Sequence, residues 1–73
     1  MSANNYIRIE KTKNGYEVSH RDYDTDKVSG GSFGFDTAEQ ALEGANIIED
    51  KLNNDLIGVE YGIRYVNKFK KGR

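Results

Sequence analysis

The sequence has 73 residues, which is enough for one hydrophobic core and therefore for a single domain. It contains no cysteine, which excludes disulfides and thiolate metal sites, and its single histidine leaves few groups for catalysis. No apolar run approaches the roughly twenty residues that span a membrane, and the first residues lack the pattern of a secretory signal. We expect a non-catalytic cytoplasmic protein with no cofactor, no bound metal and no membrane contact.

The net charge of −1 hides a segregation of charge along the chain. Residues 1–21 carry four basic and two acidic side chains, and residues 57–73 carry five basic and one acidic. Between them, residues 22–56 carry nine acidic side chains against two basic ones. Such a dipolar distribution steers association with a charged partner but does not determine the fold.

The chain starts its regular structure with a predicted β-hairpin. Residues 6–11 alternate in polarity with period two, which places Ile7 and Ile9 on one face of a strand. Asn14 and Gly15 follow, and this dipeptide is a strong signal for a hairpin turn because both residues accept positive φ. The next six residues then form the return strand.

A polar, turn-rich segment follows the hairpin and predicts a loop. Its Asp22, Asp24 and Asp26 imitate the first half of a calcium-binding loop. However, the sixth position is Lys27 instead of glycine, and the twelfth is Phe33 instead of glutamate. We therefore interpret the segment as a solvated acidic loop without a metal.

The glycine-rich residues 28–35 predict a short third strand, bulged at Gly30 and Gly31, with Phe33 and Phe35 on one face. A helix then begins behind Asp36 as the predicted N-cap and extends over residues 37–54. Its apolar side chains repeat with the helical period and form one predicted buried stripe: Ala38, Ala41, Leu42, Ala45, Ile48, Leu52 and Leu56.

A last strand is predicted over residues 59–66, with Val59, Tyr61, Ile63 and Tyr65 pointing inward. The predicted fold class is α+β, in the order ββ(β)αβ. It is a small antiparallel sheet of three to four strands with one helix packed on one face. We expect one domain over residues 1–73, with flexible ends at 1–5 and 67–73.

Two surfaces are candidates for binding a partner. The first is an acidic face on the loop and helix, on which Ile47 lies off the buried stripe as an exposed contact. The second is the outer face of the sheet, where arginines of neighbouring strands can bind carboxylate or phosphate. The acidic face comprises Tyr23, Asp24, Asp26, Glu39, Glu43, Ile47 and Asp50, and the sheet face comprises Tyr6, Arg8, Arg21 and Arg64.

The segments IEKTKNGYEV (9–18) and SFGFDTAEQA (32–41) resemble the arm-type DNA-binding domain of tyrosine integrases, which enters its helix through a Phe-x-Thr-x-x-x-Ala phrase. The resemblance implies a sheet face that inserts Tyr6, Arg8, Ser19 and Arg21 into the major groove. Glutamates on the same face and an acidic helix depart from the family, because DNA phosphates repel them.

In size and style the chain is also similar to the small accessory proteins of bacteriophages that act by occupying a host protein. This similarity implies a non-catalytic protein-binding module that inhibits a host nucleic-acid-handling system through its acidic loop and helix. The alternatives are a DNA-binding module that uses the outer sheet face and the basic tail, and a structural homo-oligomer such as a homodimer.

Overall fold

The computed structural model describes residues 4–66 as four strands and one helix, which confirms the predicted α+β class and element order. The predicted flexible ends lie outside the described residues at 1–3 and 67–73, but Asn5 is buried as the first residue of a strand. The elements are β1 (Asn5–Thr12), β2 (Gly15–Asp22), β3 (Val28–Phe35), α1 (Ala38–Asn54) and β4 (Ile63–Val66).

The four strands form one sheet in the order β3-β2-β1-β4. The predicted antiparallel pairing holds for β1, β2 and β3, whereas β4 pairs in parallel with β1, with Ile7 opposite Ile63. The 17 residues of α1 extend over about 25 Å, close to the length of an eight-residue strand. The helix therefore returns the chain to the end where β3 began, and β4 runs in the direction of β3 and β1.

The core lies between the sheet and the helix. Ile7, Ile9 and Val18 of the sheet are buried against Ala41 and Ala45 of α1. The two alanines allow the helix backbone to approach the sheet closely, so a few large side chains fill the space between the layers. Partly buried side chains pack around this core: Tyr16, Phe35, Ile48, Val59 and Ile63.

Three apolar side chains expected in the core are exposed. Phe33 is 52% exposed because α1 packs mainly on β1 and β2 and leaves the β3 edge uncovered. Leu42 is 47% exposed beside Glu39 and Glu43 on the surface of the helix. Leu56 is 93% exposed because it follows the helix end in a left-handed conformation, with φ of 67°.

Thr37, and not Asp36, is the N-cap of α1. Its extended backbone lets Oγ1 accept the amide N–H of Gln40 at 3.1 Å. Gln40 Oε1 in turn accepts the amide N–H of Asp36 at 3.3 Å, which completes a pair of reciprocal bonds similar to a capping box. The predicted helix bounds are correct to within one residue.

The last strand begins at Ile63, four residues later than predicted. Gly62 adopts a φ of +70°, and this left-handed residue separates β4 from the segment before it. Tyr61 therefore does not point inward and is exposed. Tyr65 lies opposite Ile9 and so faces the helix side, but it is 54% exposed at the uncovered edge of the sheet.

Candidate functional site

The two candidate surfaces lie on opposite sides of the sheet. Ile7 and Ile9 face α1, so the alternate residues Tyr6 and Arg8 of β1 point away from it. The loop between β2 and β3 folds onto that second side, where Asp26 contacts both Tyr6 and Arg8. The predicted acidic face is therefore divided. The loop residues Tyr23, Asp24 and Asp26 lie apart from the helix residues Glu39, Glu43, Ile47 and Asp50.

The helix part forms a row of carboxylates on the solvent side of α1. Glu39, Glu43 and Asp50 stand at positions i, i+4 and i+11, which a helix places along one line over about 16 Å. All three are exposed, and Leu42 and Ile47, 47% and 64% exposed, flank the row on its two sides. We call these five residues the acidic helix face.

The carboxylates of the acidic helix face have no basic partner on the helix. The ion pairs found within residues 4–66 both involve Arg8, on the other side of the sheet. Like charges at Glu39 and Glu43, four positions apart, destabilise an isolated helix by a few tenths of a kcal/mol, roughly. Among residues 4–66, the three carboxylates of the face therefore keep their negative charge without an ion pair.

Internal hydrogen bonds occupy the polar groups at the centre of the outer sheet face. Arg8 is 7% exposed, and its guanidinium donates to Asp26 at 2.5 Å and to Glu10 at 2.7 Å. Burial opposes the charged form of Arg8, but the bonds to Glu10, Tyr6 and Asp26 outweigh it, and the pKa of Arg8 is raised. Arg8 Nε is buried and has no hydrogen-bond partner among residues 4–66.

Asp26 is held on this face by the geometry of its loop. Asp22 Oδ1 accepts the amide N–H groups of Asp24 and Thr25 at 3.0 and 3.1 Å, which forms a tight Asx turn. Asp26 follows in a left-handed conformation, with φ of 63°. The hydrogen bonds that Tyr6 and Arg8 donate to its carboxylate lower the pKa of Asp26.

The same loop determines what the three aspartates of the acidic run can bind. Asp22 accepts backbone amides, Asp24 accepts the side-chain amide of Asn4 at 2.9 Å, and Asp26 binds Tyr6 and Arg8. Their carboxylates therefore point to separate partners. Among residues 4–66, no three histidine or acidic side chains are grouped so that they could hold a metal ion.

An aromatic cluster borders Arg8. Tyr23 meets the Tyr6 ring edge-on, with centroids 5.8 Å apart, and stacks on Tyr61 at 4.0 Å. The Arg64 guanidinium lies over the rings of Tyr6 and Tyr23, at 6.0 and 5.6 Å, and donates to the Tyr23 hydroxyl at 3.2 Å. Tyr6, Tyr23 and Arg64, together with Arg8, Asp26 and Val66, line an open cleft of about 380 Å³.

The arginines predicted for the sheet face are thus unequally accessible. Tyr6 and Arg8 are each 7% exposed and engaged by Asp26. Arg21 donates to Ser19 Oγ at 2.8 Å and to the Asp26 carbonyl oxygen at 2.6 Å. Arg64 is exposed. A nucleic acid that bound here would have to displace the Asp26 carboxylate before it reached Arg8.

The role of Asn5, within the predicted flexible end of residues 1–5, is not evident from the sequence. Its Nδ2 donates to the Gly58 carbonyl at 2.9 Å and lies 2.8 Å from His20 Nε2, while its Oδ1 accepts the Glu60 amide at 3.0 Å. Burial lowers the pKa of His20. An asparagine before a strand carries no local signal for contacts with residues more than fifty positions away.

Within residues 4–66 the one helix, α1, is neither long nor apolar enough to cross a membrane. No family model matches the chain, and neither a curated protein nor a solved structure shows significant similarity to it.

Proposed function

We propose that the chain is a non-catalytic protein-binding module that docks its acidic helix face onto a basic protein surface. The observation that carries this proposal is the row of Glu39, Glu43 and Asp50, exposed and without ion pairs among the described residues, between two exposed apolar side chains.

Charge and apolar contacts have different roles in this docking. The carboxylates raise the rate of encounter with a basic surface, because long-range attraction orients the two molecules before contact. Affinity comes from side chains that lose water in the contact, and Ile47 and Leu42 are the apolar groups available for this. A rigid helix presents both the carboxylates and the apolar side chains without the entropic cost of ordering a loop on binding.

A basic protein surface that accepts a row of negative charges is typical of a nucleic-acid-binding site. Occupation of such a site by the acidic helix face would exclude nucleic acid. The proposed activity is therefore inhibition of a nucleic-acid-handling protein in a host cytoplasm, as expected from the similarity to small bacteriophage proteins.

A second candidate, DNA binding through the outer sheet face, has weaker support. Among residues 4–66, the embedded position of Tyr6 and Arg8 leaves Arg21 and Arg64 as the contacts of that face, and Asp26 adds a negative charge beside them, so this candidate depends on the basic tail of residues 67–73, which lies outside the described residues. A nucleic-acid interface needs several accessible cations, because affinity grows with the number of phosphates neutralised.

The test compares three variants with the parent chain. Partners are captured from a lysate of cells that naturally express the chain, and binding kinetics to the recovered partner are measured at low and high salt. Charge reversal by Glu39→Lys with Glu43→Lys should slow association by about tenfold and reduce its salt dependence. Ile47→Asp should mainly accelerate dissociation.

The matched control is charge reversal on the opposite side, Arg21→Glu with Arg64→Glu, which should leave both rates within about twofold. If the arginine variant abolishes binding and the helix variants do not, the proposal is wrong. A salt-dependent shift of duplex DNA by the parent chain, lost in the arginine variant, would support the DNA-binding candidate instead.

A further inference from the structure

One border of the sheet has an unprotected edge strand. The strand order makes β3 and β4 the edges. β4 is four residues long and carries Arg64, whereas β3 has eight residues, VSGGSFGF, with no charge and no proline. Native proteins normally protect a long edge strand with such residues, because its free N–H and C=O groups pair readily with another strand.

An apolar depression lies beside this edge on the helix side of the sheet. It has a volume of about 220 Å³ and is lined by Phe33 with Gly30 and Gly31 of β3, by Ile48, Lys51 and Leu52 of α1, and by His20 of β2, so Lys51 adds a basic side chain to an otherwise mainly apolar lining. Phe33 is 52% exposed there. Within the part of the chain that the structure describes, this edge of β3 pairs with no further strand and lies beside apolar surface, which is the combination that strand addition uses.

We propose that a second copy of this chain pairs with β3 in antiparallel orientation, which joins two four-stranded sheets into one of eight strands. A two-fold interface places each patch against itself, so the uncharged strand β3 is self-complementary, whereas the acidic helix face would repel its own copy. Lys27 precedes β3 and Asp36 follows it, and both are exposed. Antiparallel pairing brings Lys27 of one copy towards Asp36 of the other, whereas parallel pairing would bring like charges together.

The pairing register follows from the faces of the strand. Phe33 pairs with Val18, which is in the core, so Phe33 points to the helix side. Residues directly opposite each other share a face, and the alignment of Phe33 with Phe33 of the second copy meets this condition. Gly31 of one copy then lies opposite Phe35 of the other copy. The shift of register at His20 affects the start of β3 and leaves this segment regular.

In this arrangement the two Phe33 rings cover each other beside the depressions of both copies. Because the paired segment of β3 is short, the dimer interface lies at the lower end of known interface sizes. We therefore expect a dimer Kd of roughly micromolar order. This inference goes beyond the proposed function, because it uses no residue of the acidic helix face.

Sedimentation equilibrium of the full chain, from about 1 μM to about 1 mM, tests the pairing. The mass should rise from 8.3 kDa towards twice that value. Phe33→Lys places like charges opposite each other and should raise the dimer Kd on the order of 100-fold. The matched control is the substitution Tyr65→Lys. It replaces an aromatic residue of similar exposure on the other edge strand, β4, and should leave the dimer Kd within about threefold of the parent value.

A chain that stays monomeric throughout, or a dimer dissociated by Tyr65→Lys instead of Phe33→Lys, would overturn the proposal. If Phe33→Lys does not fold, hydrogen exchange of the parent chain decides. The amides of residues 31–35 should exchange more slowly as the protein concentration rises, and concentration-dependent protection confined to α1 or β4 would contradict pairing through β3.

Discussion

Substitution of Gly44 by alanine reverses the usual effect of this change in a helix. Alanine normally stabilises a helix interior by about 1 kcal/mol relative to glycine. Here the ring of Phe35 packs against Gly44, and a methyl group would lie 2.9 and 3.1 Å from its two Cε atoms and closer still to Cζ. The glycine thus makes room for an aromatic side chain of β3.

The magnitude follows from these two opposing effects. The ring would have to withdraw by about 1 Å to reach ordinary van der Waals separation, and overpacking of this kind costs about 1–3 kcal/mol. Phe35 is partly buried against the core, so its movement also disturbs its neighbours. We expect Gly44→Ala to lower the free energy of unfolding by about 1 kcal/mol, after the gain in helix propensity is included.

Urea unfolding followed by circular dichroism measures the effect, and a double-mutant cycle identifies its cause. In a Phe35→Ala background the clash is absent, and Gly44→Ala should become stabilising by about 1 kcal/mol. Asn46→Ala, at an exposed position of the same helix, serves as the control and should stabilise both backgrounds slightly. A stabilising effect of Gly44→Ala in the parent chain would refute the reasoning.

Three further predictions concern the titratable groups. Because the pKa of Asp26 is lowered below about 3.8, its stabilising contribution is present above that pH and is lost as the pH falls through the native-state value. Asp26→Asn should therefore lower the free energy of unfolding by about 1 kcal/mol at pH 7, and the difference from the parent chain should vanish at strongly acidic pH in urea titrations. The pKa of His20 is lowered, so an NMR titration of this single histidine should give a midpoint below 6.5. Since the unfolded chain then binds the proton more readily, the parent chain should lose stability as the pH falls below about 6.5, and His20→Gln should remove this loss. Calcium should leave the melting temperature unchanged, because the carboxylates of the acidic loop bind separate partners; a concentration-dependent rise would show that the loop rearranges around the ion.

Local patterns were sufficient to predict the elements of this fold. Period-two alternation identified the hairpin, and the helical repeat identified α1 to within one residue. The predicted turn pair was one residue late, because Lys13 and Asn14 form the turn without a positive φ and Gly15 already pairs with Thr12. These signals depend on neighbours in the chain, so one sequence contains them completely. The direction of β4 had no such signal, because it depends on the length of α1 relative to the strands.

The candidate site was harder to predict, because burial depends on what covers a residue. Alternation correctly placed Arg8 on the outer face, but its burial results from a loop that folds back eighteen residues later. The same applies to Leu42, which fits the helical stripe and yet lies beyond the width of the sheet that α1 covers. Periodicity gives the direction of a side chain and not the extent of the layer opposite it.

The parallel pairing of β4 with β1 also has a consequence for the order in which the chain folds. Ile7 meets His20 across a short hairpin, but it meets Ile63 only after 56 further residues, and closing this longer loop costs roughly 1 kcal/mol more entropy. The hairpin, β3 and α1 can assemble by mainly local contacts, and we expect β4 to dock last because its pairing with β1 joins residues far apart in the sequence. During synthesis the side of β1 that later pairs with β4 therefore stays unpaired until β4 has emerged. A chain that ends after α1 would expose this second strand edge, which could pair with other chains, in place of a completed sheet.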